Sequence, residues 1–125
     1  MESIKTELAP AAIGPYSQAV RAGSAVYISG QIPLDPSTMD IVDTDMEAQA
    51  RQCFANIAAI ADASGATIAQ IVKTNLSLVD REAFWGVNAV MEDLFSEPYP
   101  ARACVAVAAL PRAARIEVEA ILELG

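Results

Sequence analysis

Apolar residues recur along this chain in two periods, and the switches between them mark out its elements. Met46, Ala50, Cys53, Phe54, Ile57 and Ile60 repeat at the three-to-four spacing of one helical face. Gly65 stands where a left-handed residue ends such a helix, so helix one is expected to run to about Ser64. At its start, Thr44-Asp45-Met46-Glu47 reads as a capping box. A second stripe of Phe84, Val87, Met91, Leu94 and Phe95 follows a capping Asp80 and stops before Pro98 and Pro100, with Asn88 off the stripe.

Elsewhere the period shortens to alternation. Residues 17–20 and 25–29 read as two strands joined by a turn at Ala22-Gly23. Residues 71–79 read as a third, with Val72, Thr74, Leu76 and Leu78 on one side and Lys73, Asn75 and Ser77 on the other. Two more, 102–108 and 115–122, are divided by Leu110-Pro111. The stretch from Gln31 to Thr44, with Pro33, Pro36 and several aspartates, is a loop.

The last two strands carry charge in apolar company. Alternation puts Arg102, Cys104 and Ala106 on one face of the first, and sets Glu117 and Glu119 against Ile116, Val118 and Ala120 on the second. A buried charge is costly without a partner or a task. If the two strands are neighbours, Arg102 and Glu117 share a face, and together they can hold a small carboxylate and manage a proton. The element order, strand, strand, helix, strand, helix, strand, strand, predicts an α+β fold in which both helices cover one face of a mixed sheet through right-handed crossovers. The other face, expected to include Arg102, Cys104 and Glu117, is then bare until a second copy covers it, which places the site between subunits.

Composition sharpens this picture. The 125 residues suit one domain, 1–125, and 54 % hydrophobic against 19 % charged is more apolar than the roughly 45 to 50 % usual for soluble domains, so self-association is expected. A net charge of -8 with no histidine argues against nucleic acid as a partner, and it removes every Ser-His or Cys-His pair and every imidazole zinc ligand. Cys53 and Cys104 lack the number and spacing of a disulfide framework, which fits a reducing cytosol. The N-terminus shows no basic region followed by an apolar run, and no window approaches the ~20 apolar residues of a membrane span, so a cytoplasmic location without a membrane partner is expected.

Several features carry plainer readings. Cys104 is a small strand hydrophobe sooner than a nucleophile, because no histidine activates it. Asp35, Asp40, Asp43 and Asp45 lack the glycine and terminal glutamate of a calcium loop, so no metal is expected. Trp85 is expected to pack, Tyr16 has a turn-anchoring role as its alternative, and Glu119 is expected to pair with Lys73 or Arg115.

Separate motifs distributed along the chain resemble a known family. They are Ala9-Pro10-Ala11-Ala12-Ile13-Gly14-Pro15-Tyr16-Ser17-Gln18-Ala19-Val20, Ile28-Ser29-Gly30-Gln31-Ile32-Pro33, Ile71-Val72-Lys73-Thr74, Val87-Asn88, Pro100-Ala101-Arg102 and Ile116-Glu117-Val118-Glu119-Ala120. In that order, from about residue 4 to residue 122, the chain resembles the reactive intermediate deaminase family, RidA, also called YjgF. The resemblance implies a chorismate-mutase-like subunit, a single mixed six-stranded sheet with two helices on one face, assembled as a homotrimeric barrel with a cleft between neighbouring subunits. It implies hydrolysis of enamines and imines such as 2-aminoacrylate to 2-keto acids and ammonia, with no cofactor, neither pyridoxal phosphate nor a metal.

On the matching residues, the resemblance implies that Arg102 grips the substrate carboxylate, a task a guanidinium performs with two parallel hydrogen bonds. Glu117 then holds the attacking water and moves protons, assisted by Tyr16. The backbone at Gly30 and Cys104 completes the carboxylate pocket, with Asn88 and Ser29 near the cleft. Ser96-Glu97-Pro98-Tyr99 is shorter than the corresponding loop of many members, which bears on substrate range, and Tyr99 is placed to fill the space. Three other readings compete: a trimeric binder of 2-keto acids without turnover, an endoribonuclease or translation inhibitor, and a redox-activated chaperone. The acidic charge and missing histidine count against the ribonuclease.

Overall fold

The computed structural model describes residues 1–43 and 45–125. Its strands are β1 (Glu2–Ile4), β2 (Ala19–Ala22), β3 (Ala25–Gln31), β4 (Ile71–Leu78), β5 (Ala101–Ala106) and β6 (Ile116–Glu123); its helices are α1 (Met46–Ala63) and α2 (Phe84–Leu94). One mixed six-stranded sheet runs in the order β1-β2-β3-β6-β4-β5, with β4 and β5 as its parallel pair. Alternation marks five of these strands. β1 escapes it because a three-residue strand with one buried side chain, Ile4, shows no period.

α1 buries the stripe expected of it, Met46, Ala50, Cys53, Phe54, Ile57 and Ile60 included. Asp45 caps it by accepting a hydrogen bond from the Ala48 N–H at 3.1 Å, whereas the capping role expected of Thr44 falls outside the described residues. At the other end Gly65 takes φ +79°, the Gly65 N–H reaches the Asp62 carbonyl at 3.0 Å, and the Ala66 N–H reaches Ala61 at 2.9 Å. Those two bonds close the last turn in a Schellman motif.

Two amides on α1 are buried on purpose. Gln49 donates to the Asp43 carbonyl at 2.6 Å and accepts from the Arg115 N–H at 2.9 Å, while Asn56 donates to the Leu34 carbonyl at 3.0 Å. The helix therefore fixes the loop around residues 32–43 as well as filling the core, and the buried amides are satisfied in doing so.

The core is one cluster between the helices and the inner face of the sheet, where Phe54 and Phe95 meet edge to face with ring centroids 5.6 Å apart. Along β6, Ile116, Val118, Ala120 and Leu122 enter that core and Glu117, Glu119 and Ile121 face away. β4 follows the expected alternation except at its start. Pairing with β6 slips between Ile71 and Lys73, so Ile71 is buried and Val72, expected inside, is about half exposed. Among the described residues no helix covers the outer face: Val20, Tyr27, Ile121 and Val105 lie there among Lys73, Asn75, Ser77, Glu117 and Glu119.

Candidate active site

Glu117 owes its place to a glycine. β3 pairs Ile28 with Ala120 and Gln31 with Val118, so three residues on one strand advance against two on the other, and the irregularity falls at Ser29-Gly30. A Cβ on Gly30 would lie 2.9 Å from both Cδ and Oε2 of Glu117, closer than real carbon contacts allow. The missing side chain is the space the carboxyl occupies.

Around this carboxyl, Tyr16, Gly30, Gln31, Pro111 and Glu117 line a cavity of about 140 Å³. Tyr16 reaches it on a loop: its hydroxyl accepts from the Ile13 N–H at 3.3 Å, and its own N–H bonds to the Gly14 carbonyl at 2.9 Å. Below that loop, buried Gln18 donates to the carbonyls of Thr6, Ala9 and Pro10 at 3.0, 3.3 and 2.8 Å and accepts from the Thr6 N–H at 2.7 Å. Gln18 thus anchors the segment leading to Tyr16, and its only sign in the sequence is an amide amid strand alternation. Ser29 spends its hydroxyl on the Ser17 carbonyl at 2.6 Å, joining the same loop to β3.

Arg102 belongs to a second centre. One of its terminal nitrogens donates to Asn88 Oδ1 at 2.6 Å and to Met91 Sδ at 3.7 Å, and its guanidinium carbon lies 5.0 Å from the centroid of the Phe84 ring. Three residues of α2 therefore hold the guanidinium, through a hydrogen bond, a sulfur contact and a cation–π contact. Asn88, Met91, Tyr99, Pro100 and Arg102 line a cavity of about 230 Å³, with Tyr99 from the short loop at its wall.

The two centres lie on opposite faces of the sheet. In register, Arg102 and Cys104 pair with Thr74 and Leu76, whose side chains are buried under the helices, while Glu117 pairs with Ser77 and through it with Val105. The expectation that Arg102, Cys104 and Glu117 share the bare face is corrected: Arg102 and Cys104 point to the helical side. Nor are their strands neighbours, because β4 runs between β5 and β6. Within one chain the guanidinium and the carboxyl do not face one another.

Burial pushes the Glu117 carboxyl above the usual carboxylate range, and the charge of nearby Glu119 adds to it. Glu119 itself accepts from Asn75 Nδ2 at 3.0 Å rather than pairing with Lys73 or Arg115, and Arg115 lies 3.7 Å from Asp80. Desolvation likewise raises the Cys104 thiol, offset in part by Arg102, and burial raises Cys53 strongly. Neither sulfur is set up as a thiolate. Trp85, expected to pack, is 77 % exposed.

The same fold recurs in solved relatives. RidA from the Antarctic bacterium Psychrobacter superposes with a TM-score of 0.95 at 50 % identity over 98 % of this chain and 99 % of that one. Escherichia coli TdcF with bound serine does so at 0.94 with 41 % identity, each chain covered fully at 100 %. In sequence, a 2-iminobutanoate/2-iminopropanoate deaminase of Salmonella typhimurium is 50 % identical over 123 residues, 96 % of this chain and 95 % of the relative. The endoribonuclease L-PSP family model matches residues 6–124, and the chain belongs to that family, the one that contains the RidA (YjgF) deaminases.

Proposed function

We propose that this protein is an imine deaminase that hydrolyses 2-imino acids, and the enamines in equilibrium with them, to 2-keto acids and ammonia. The observation that carries this reading is the pairing of a half-buried carboxyl seated on a glycine with a separate guanidinium held by an asparagine and an aromatic ring. Names borne by relatives at 44–50 % identity, from Dermatophagoides farinae to Salmonella typhimurium, support the same reaction.

Each group has a task that its surroundings suit. Arg102, restrained on one edge by Asn88, binds the substrate carboxylate through its remaining N–H groups. Glu117, its pKa raised, supplies a proton to an enamine carbon or an imine nitrogen and, once ionised, takes a proton from water attacking the C=N carbon. Addition of water across C=N and loss of ammonia then leave the keto acid. Tyr16, at the same cavity, supports the water or the departing nitrogen. The backbone at Gly30 and Cys104 completes the carboxylate pocket, and Ser29 holds the Tyr16 loop against it.

Because Arg102 and Glu117 occupy opposite faces, this chemistry calls for a second copy of the chain, with Arg102 of one subunit meeting Glu117 of the next across a homotrimer. The uncovered sheet face, with Val20, Tyr27, Ile121 and Val105, supplies apolar surface for that assembly. Among the described residues no helix is long and apolar enough to cross a membrane, and a cytoplasmic setting, where enzymes release such imines, suits the reading.

The test is a coupled assay in which the protein is added to threonine or serine dehydratase and keto-acid formation is recorded. Acceleration that disappears in Arg102→Ala is expected. Absence of acceleration with every amino acid tried would leave carboxylate binding without turnover.

A further inference from the structure

Beside the Arg102 centre lies a third cavity, of about 360 Å³, lined by Leu78, Arg81, Phe84, Trp85, Cys104 and Val105 among others. It is joined to Arg102 through Phe84, whose ring lies against the guanidinium and meets the Trp85 ring edge to face at 5.8 Å. Cys104 follows Arg102 two residues along β5 on the same face, a step of about 6.6 Å at ~3.3 Å per strand residue.

The geometry points to this cavity as the side-chain pocket of the site and to Trp85 as a specificity-determining residue that favours 2-imino acids with an aromatic side chain. This rests on the imine deaminase reading above. With its carboxylate on Arg102, a substrate directed along β5 puts its ring among Leu78, Phe84, Trp85 and Cys104. Two aromatic walls already at right angles present both a face and an edge to a third ring, the arrangements aromatic pairs prefer. Arg81 at the exposed rim adds a guanidinium able to stack on the same ring. An imine with a methyl group leaves this space to water. Trp85 is exposed while Ala83 and Val87, two positions to either side of it, are buried, so packing of the core does not account for it.

The test uses the intact protein and imines released by an amino-acid oxidase from phenylalanine, alanine and glutamate, with imine lifetime read by trapping with semicarbazide. Wild type is expected to have a higher kcat/KM on the phenylalanine-derived imine than on the alanine-derived one. Trp85→Ala is expected to lower the ratio of the two by about tenfold, and Trp85→Phe to hold it within about twofold, since a lost aromatic contact is worth that order. Melting temperatures of the variants check that the fold is kept. If the alanine-derived imine is hydrolysed but Trp85→Ala leaves the ratio in place, or if the glutamate-derived imine is preferred, the pocket assignment is overturned and the deaminase reading stands. If none of the imines is hydrolysed, both fall.

Discussion

At the scale of single residues, Gly30 and Glu117 form one unit. Gly30→Ala places a methyl 2.9 Å from the Glu117 carboxyl, so the carboxyl must swing away. The expected outcome is a loss of about 10²-fold in kcat/KM with the fold intact, checked by kinetics alongside circular dichroism, since misplacement of a reacting group by ~1 Å is that costly. Glu117→Gln tests the electrostatics. A carboxyl whose pKa is raised on folding favours the folded state while protonated, and that contribution is lost as pH rises through the raised pKa. Glu117→Gln is therefore expected to be inactive yet to melt higher than wild type near neutral pH, with the difference vanishing at pH values below the carboxylate range. Equal melting points across the whole pH range would contradict the assigned burial. The identities of both residues were legible in the sequence. Their contact was not, because it comes from an irregular register between β3 and β6 that alternation alone does not show.

Among the elements, α1 is where the pattern speaks most directly, since a helix of eighteen residues samples its apolar face many times over. Gly65→Ala forces a side chain into φ +79° and is expected to cost about 1 kcal/mol, read as a shift in chemical denaturation midpoint without change in activity. The ends and the short strands were less legible. β1 has three residues, and at Val72 a slip in pairing with β6 reverses what alternation predicts. Nor did the helical stripe reveal that Gln49 and Asn56, both buried, hold the loop that walls the Glu117 cavity. Within a helix, an amide facing a neighbouring loop has the same sequence signature as one facing water.

For the whole molecule, the division of the site across the sheet makes a quantitative prediction. If Arg102 of one subunit completes Glu117 of the next, Arg102→Ala and Glu117→Ala proteins are each inactive alone. Refolded together in equal amounts as random mixed trimers, they regain about one quarter of wild-type activity, because half the subunits offer each intact partner and a site needs both. Activity confined to a single chain gives no recovery. Light scattering of the wild type then reads the subunit number directly.

By itself the sequence determined the class of fold, the helical faces, the residues that bear charge in apolar strands, and the family. These depend on local periodicity and on short motifs, and each is written within a few residues. Which face of the sheet each charge occupies was decided only by the tertiary structure. Strand order is a long-range property: β6 enters between β3 and β4, and β4 separates Arg102 from Glu117. A pattern with a period of two tells which residues of one strand share a face, but the face itself is chosen when the strand docks against its neighbours and the helices. That choice set the guanidinium under α2 and the carboxyl on the open side.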